Sequence, residues 1–378
     1  MARPLKPTFN PAEREELHRL TSDGPLEMTY MNNGEYERQS MRTSEPDHLQ
    51  QLLNAEQLAV THSHWRQAPN YQLSPIESRH SIRVVPSDEL RKLVYAWQDL
   101  ADVMETSTSS AKQLSPRLEH FFAAYKTFML RYREELLQQR EVFDPGLNIN
   151  TLRHDIDKHL EEGFDYYQQA IRSHTFRRAI KQNQTNHNRN RRSLLNYVEV
   201  LLEAYPSLYV LHLDLGYNVF NDATMLKATY SRLREDLNAL LHARHRNPMW
   251  KDDLVGHLWK IEDAPLRRFH AHLFLFYNGV TAEHHQQDVN RLQQRWIEEI
   301  THQEGALYAR RKGQKSVWVP ENRGYLITSN DVTQVHQLKE YLNYLVQIDK
   351  LFGLETLPQA RVFGKGNAPN LPTIAPNE

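Results

Sequence analysis

RFHAHLFLFY, residues 268–277, is the most apolar stretch of the chain and decides how its second half is built. It ends at Asn278-Gly279 and is preceded, across the short DAPLR segment (263–267), by a second run, LVGHLWKIE (254–262). Two such runs joined by a brief turn read as neighbouring antiparallel strands. Side chains alternate faces along a strand, so the imidazoles of His270 and His272 point the same way, two residues' rise apart. Two neutral imidazoles so placed can hold one divalent ion between them. The flanking Leu273, Phe274, Leu275 and Phe276 would keep such a site rigid and partly dry. The spacing by itself is weak, because 20 histidines in 378 residues give about one His-x-His by chance. A second pair, His62-Ser63-His64, lies in a weakly patterned region and is assigned to chance. The competing reading of His270 and His272 is a pair of satisfied core histidines.

Working outward, Glu262 ends the preceding strand, and a hairpin brings its carboxylate beside the two histidines. A one-residue slip would turn it to the other face. A three-residue turn places it correctly; Asp263 and His257 are the fallbacks, and a solvated strand end is the alternative. SLYVLHLDL (207–215) is a further strand, with His212 and Asp214 on one face. That pair lines a substrate groove, supports metal ligands from behind, or sits at a solvent-facing edge. VHQLKEYLNYLVQIDKLFG (335–353) reads as a helix with Tyr341 and Tyr344 three apart on one face. A tyrosine hydroxyl, with an ordinary pKa of about 10, is a poor nucleophile until a metal or base draws off its proton. An aromatic stripe packed on the core would look the same.

The second half reads strand (207–215), helix (223–244), strand (254–262), strand (268–277), helix (283–302), strand-like SVWVP and GYLIT (316–328), and helix (332–352). That order predicts an α+β fold, an antiparallel sheet with helices on one face. Before it comes a helical region. Ser87 can cap a helix carrying Leu90, Leu93, Val94, Trp97, Leu100, Ala101 and Met104 at helical spacing. TSTSS (106–110) breaks it, and a second helix carries Leu118, Phe121, Phe122, Tyr125, Phe128, Tyr132 and Leu136 up to Asp144-Pro145-Gly146. A third runs from Thr151 to about Ile180. The expected organisation is a poorly ordered arm over 1–85 that carries one short helix near Asp47 to Val60, a helical region over 86–180, the α+β domain over 190–355 and a disordered tail over 356–378. QNQTNHNRN (182–190) is expected as the linker.

With a net charge of −1, no global field draws the chain onto nucleic acid, and any such contact comes from local patches. Residues 172–192 hold Arg172, Arg177, Arg178, Lys181, Arg189, Arg191 and Arg192, with no acid between Gln168 and Val198. This is a phosphate-contacting strip or a solvated charge run. Arg310, Arg311, Lys312 and Lys315, near Tyr308 and Trp318, interleave cations with aromatics as single-stranded DNA binders do. The absence of cysteine excludes disulfides, thiolate metal sites and a cysteine nucleophile. No signal peptide or membrane span is legible, so a cytoplasmic protein without a membrane partner is expected.

VLHLDLGY (210–217), WKIEDAPLRRFHAHLFLFYNG (259–279) and EYLNYLVQIDK (340–350) together resemble the three ordered motifs of rolling-circle replication initiators, the His-hydrophobic-His (HUH) endonucleases. The likeness is greatest to inovirus gene-two-like proteins and their prophage relatives, the YagK/YfjJ C-terminal domain family, and covers roughly 190–355. It implies a metal-dependent tyrosine endonuclease and strand transferase that nicks and rejoins single-stranded DNA at a replication origin, with host replication proteins as further partners. It implies His270, His272 and Glu262 as ligands of Mg2+ or Mn2+ and Tyr341 as nucleophile; the two basic runs then place Arg189, Arg191, Arg192, Arg310, Arg311 and Lys312 as the residues expected on the DNA. The family's Tyr-Leu-x-Lys pattern departs here: Tyr344 stands at the lysine position, which makes it the second candidate nucleophile. A prophage DNA-binding protein without catalysis on the same scaffold is the runner-up, and a helical interaction protein the third reading.

Overall fold

The computed structural model describes residues 6–20, 26–41, 45–76, 81–106, 112–138, 141–143, 148–242, 253–264, 267–280, 288–310, 324–354, 361–367 and 369. The first half runs α1 (Pro11–Leu20), β1 (Leu26–Asn32), β2 (Glu35–Met41), α2 (Glu45–His62), β3 (Tyr71–Ile76), β4 (Ser81–Pro86), α3 (Asp88–Thr106), β5 (Lys112–Leu114), α4 (Pro116–Ala124), α5 (Lys126–Gln138), β6 (Glu141–Phe143) and α6 (Ile149–Arg172). Then follow α7 (His174–Ala204), β7 (Ser207–Tyr217), α8 (Asp222–Lys227), α9 (Tyr230–His242), β8 (Leu254–Ala264), β9 (Arg268–Asn278) and α10 (Asp288–Gln294), which continues into a π-helical turn, Arg295–Ile300. The chain goes on through β10 (Gly305–Arg310), β11 (Gly324–Thr328), α11 (Val332–Gln347), a 3-10 turn (Ile348–Lys350), β12 (Phe352–Leu354) and β13 (Phe363–Lys365).

A helical N-terminal region is thus followed by a large antiparallel sheet flanked by helices, an α+β architecture. Among the described residues the sheet has eight strands, ordered β13-β8-β9-β7-β10-β1-β2, with β11 also paired to β7. Helices cover both faces rather than the single face expected. Leu208, Val210, Leu258, Phe274 and Phe276 pack with residues of α7 and α11 in one core, which also takes in the N-terminal helices. Leu211, Leu213, Ile261, Leu273 and Leu275 pack with α9 and with Trp296 and Ile297 in another. The reason is visible in the strands: β7 and β9 are buried along nearly their whole length, and apolar residues at both odd and even positions need cover on both sides. Among the described residues no helix is long and apolar enough to cross a membrane.

Three other segments differ from expectation. Residues 1–85, expected as a loose arm around one short helix, supply the β1–β2 hairpin that extends the sheet through β10; the expected helix near Asp47 to Val60 is α2, whose Leu52, Leu53 and Ala59 are buried. Their periodicity is weak because the hairpin's outer strand is exposed throughout its described side chains. QNQTNHNRN lies inside α7, a single 31-residue helix capped by the Ser173 side chain at the Phe176 amide, 3.1 Å. Docking through Phe176 and His187 holds this poor helix-forming sequence in place. Within 356–378, Phe363–Lys365 pairs with Leu258–Lys260 as a strand, because β8 offers an open edge there. The expected cap of α3 is present, with the Ser87 hydroxyl accepting from the Leu90 amide at 3.2 Å. The expected second helix divides into α4 and α5 at Tyr125.

Candidate active site

Strand register sets the site. Glu262 pairs with His270, Lys260 with His272 and Leu258 with Phe274 across β8 and β9. On the other side Asp214 pairs with His272 and His212 with Phe274 across β7 and β9. Residues directly opposite share a face, so one row reads Lys260–His272–Asp214 and the next places Glu262 beside His270. Only residues 265–267 separate the paired ends Ala264 and Arg268, the turn length that puts Glu262 on the histidines' face. Gly216 leaves the room beside His270: a Cβ there would meet the Tyr308 ring at 2.7 Å and the His270 Cβ at 3.4 Å.

Asp214, His270 and His272 are all buried and offer ligand atoms within 4.8 Å of one another. Glu262 Oε2 stands 3.6 Å from His272 Nε2. The His270 Nδ1 lies 3.0 Å from the Arg268 carbonyl. A carbonyl can only accept, so Nδ1 carries the hydrogen and Nε2 keeps its lone pair. Arg268 itself adopts a left-handed φ of 57° to close the turn. His212 Nε2 is 3.2 Å from His272 Nδ1, and the His212 ring stacks on Phe274 at 4.3 Å.

The electrostatics keep both carboxylates charged. Burial pushes the Asp214 carboxyl up, but Arg267 and then the three imidazoles hold it well below the usual carboxylate range. Glu262 is likewise lowered on balance, with burial opposed by His272, Lys260 and His270. For His272 burial disfavours the proton, yet Asp214 and Glu262 more than offset that, and its pKa is raised. Asp214 Oδ1 and Glu262 Oε1 are buried and have no hydrogen-bond partner among the described residues. Two imidazoles and two incompletely satisfied carboxylates are a donor set that fits a divalent ion of the Mn2+ or Mg2+ kind.

α11 lays Tyr341 on this same face, its ring centroid 5.5 Å from His212 and 6.0 Å from Phe274. Tyr344 stacks on Tyr341 at 6.1 Å. The Lys260 Nζ reaches Asp349 Oδ1 at 2.5 Å, tying the 3-10 turn that follows α11 to β8. Arg191 donates Nε to Asn343 Oδ1 at 2.7 Å, between the two tyrosines in sequence, while Arg189 and Arg192 are exposed on α7. Arg310 ends β10, opposite Leu26. Arg311 and Lys312, with Lys315 and Trp318, lie outside the described residues.

His212 and Asp214 are buried rather than at a solvent-facing edge, and Asp214 joins His270 and His272 in the cluster that could hold a metal ion. Sequence reasoning passed over Arg267, which is buried, ion-paired to Asp214, and set over the Tyr308 ring at 5.4 Å. It also passed over Lys260. The period of two carried a signal for Lys260, which precedes Glu262 by two residues; a turn residue such as Arg267 carries no periodic signal.

The family model of the YagK/YfjJ C-terminal domain matches residues 169–366, just over half of the chain. No curated protein and no solved structure matches it.

Proposed function

The chain belongs to the YagK/YfjJ C-terminal domain family, and on that premise we propose that it is a metal-dependent tyrosine endonuclease of the HUH type, nicking and rejoining single-stranded DNA in rolling-circle replication of a phage, prophage or plasmid. The observation that carries this reading is the buried Asp214–His270–His272 cluster, with Tyr341 packed on His212 beside it. His270, His272 and Asp214, with Glu262 adjacent, would hold Mg2+ or Mn2+. The ion would polarise a phosphate oxygen and offset charge in the transition state.

The chain's own residues do the rest. The Arg268 carbonyl keeps His270 in one tautomer, and Arg267 holds Asp214 with one oxygen left over. The Tyr341 hydroxyl forms a bond to phosphorus as the bond from phosphorus to the 3′ oxygen breaks. The phenol gives up its proton and the departing 3′ oxygen takes one up, leaving a 5′-phosphotyrosine and a free 3′-hydroxyl. The 3′-hydroxyl can prime synthesis, and attack on the tyrosyl linkage by such a hydroxyl rejoins the strand. Arg189, Arg191, Arg192 and Arg310 would contact phosphates, and host replication proteins would act on the primed circle.

The second reading, a DNA-binding protein that does not cut, draws on one fact: Tyr341 is only 3% exposed. One assay separates the two. Incubation with labelled single-stranded oligonucleotides and Mn2+ yields a covalent adduct on a denaturing gel, absent in Tyr341→Phe and largely kept in Tyr344→Phe. The reverse pattern moves the nucleophile to Tyr344; no adduct in wild type at any sequence tested, with metal bound, selects the second reading.

A further inference from the structure

We propose that the outward face of α7 is a track that carries a single strand of DNA toward the tyrosines of α11; the inference rests on the nicking reading above and names where the substrate lies beyond the site. Between Arg172 and Arg192 only Phe176 and His187 are buried. Arg177, Arg178, Lys181, Arg189 and Arg192 are exposed, and among the described residues none of them is ion-paired to a carboxylate. No acidic residue occurs between Asp165 and Glu199. Arg177 donates to the carbonyls of Ser173 and Arg172, which holds its guanidinium along the helix. The near end of the face is fixed in place: Arg191 binds Asn343, which stands between Tyr341 and Tyr344.

The helix is built against its own stability. Asn183, Asn186, Asn188 and Asn190 are poor helix formers. Arg177 and Lys181, four apart, and Arg189 and Arg192, three apart, repel across single turns. A face serving only to keep the helix in water would gain from interspersed glutamates, and just beyond it Glu199 does pair with Lys339 at 2.8 Å. A polyanion laid along the face relieves the repulsion, and the amides between the cations add neutral donors. From Arg177 to Arg192 the rise is roughly 22 Å, the span of several nucleotides. A membrane surface fits poorly, because the exposed positions are Arg, Lys, Asn, Gln, Thr and His, with no apolar side chain to insert.

Fluorescence anisotropy on the full chain, without metal so that nothing is cut, tests this with oligonucleotides of about 6 and about 16 nucleotides. The longer is expected to bind at least about tenfold tighter. Its salt dependence should be steeper than that of the shorter by roughly 2 to 3 in the slope of log K against log salt, at about 0.7 per phosphate contact. The variant R177Q/R178Q/K181Q/R189Q, checked for helix content by circular dichroism, should lose most of the length advantage, while R177K/R178K/R189K keeps it. Equal slopes for the two lengths in wild type overturn the track without need of any variant. So does a 16-base-pair duplex that binds as tightly and loses as much in the glutamine variant, because the face then reads duplex. If wild type forms no covalent adduct with metal present, the nicking reading falls, and the length and salt dependence still decide the track; if adduct forms and length does not matter, the track alone falls.

Discussion

Two His-x-His pairs of identical spacing sit in different surroundings and behave in opposite ways. His62 closes α2, and His64 follows in a turn. Residues two apart on a helical turn point to nearly opposite sides, so His62 is fully buried while His64 is exposed. The His62 ring is enclosed by Trp65, Tyr167, Tyr125, Phe164 and Phe121, with centroids 4.5–6.0 Å away, and its Nε2 bonds the Tyr125 hydroxyl. Burial pushes its pKa down to about 3. His270 and His272 lie on β9, share one face, and meet Asp214 and Glu262 there. Two carboxylates push the His272 pKa up. The dipeptide spacing is therefore neutral; the period of the element that carries it decides whether two imidazoles can act together.

The largest test of that contrast is metal affinity. His270→Ala with His272→Ala should weaken Mn2+ binding more than about a hundredfold by titration calorimetry, whereas His62→Phe with His64→Ala should leave it unchanged. Equal loss in both double variants would erase the distinction. Next comes the separation of the two faces of β9. Leu273→Ala opens a cavity under α9 and should cost about 2–5 kcal/mol in denaturant unfolding, with Mn2+ affinity kept; loss of metal binding in a still-folded variant would show that the faces are not independent.

Acid sensitivity is a smaller effect. His62 has its folded pKa below its unfolded value, so the stability it contributes is present above the unfolded pKa of about 6.5 and is lost as pH falls from there toward about 3. At about 1.4 kcal/mol per pH unit this is on the order of 2 kcal/mol by pH 5, and His62→Phe should flatten the profile; an unchanged acid limb would mean that other groups set it. The smallest effect has the opposite sign. His272, raised by Asp214 and Glu262, contributes stability to the metal-free protein that is fully present below its unfolded pKa and lost as pH rises through its folded value. Metal and proton compete for that ring. The gap in Tm between Mn2+-loaded and chelator-treated protein should widen from mildly acidic to mildly alkaline buffer, and a narrowing gap would contradict the assignment.

Much of the local structure was legible in the chain. The spacing of Leu90, Leu93, Val94, Trp97, Leu100 and Ala101 marks the buried side of α3, and Ser87 marks its start. The alternation in RFHAHLFLFY puts His270 and His272 on one face, and the three-residue turn adds Glu262. The covering of both sheet faces was written in the same strands, whose odd and even positions are both apolar, and one-sided packing underread it. QNQTNHNRN misled because its composition favours a loop, and its helical state depends on docking at Phe176 and His187.

By itself the sequence determined what repeats within a few residues: the caps, the helical stripes, the shared face of the two histidines, and the basic, acid-free run of α7. Only the tertiary structure decided the rest. It brings Asp214 opposite His272 over a separation of nearly sixty residues, pairs Arg267 with Asp214, docks Tyr341 on His212, and adds the β1–β2 hairpin and β13 to the sheet. The reason is physical. Local periods follow from backbone geometry and are present in any short window of the chain, whereas strand register and the partner of a buried charge are settled only when distant segments close on one another and must satisfy each other's polar groups.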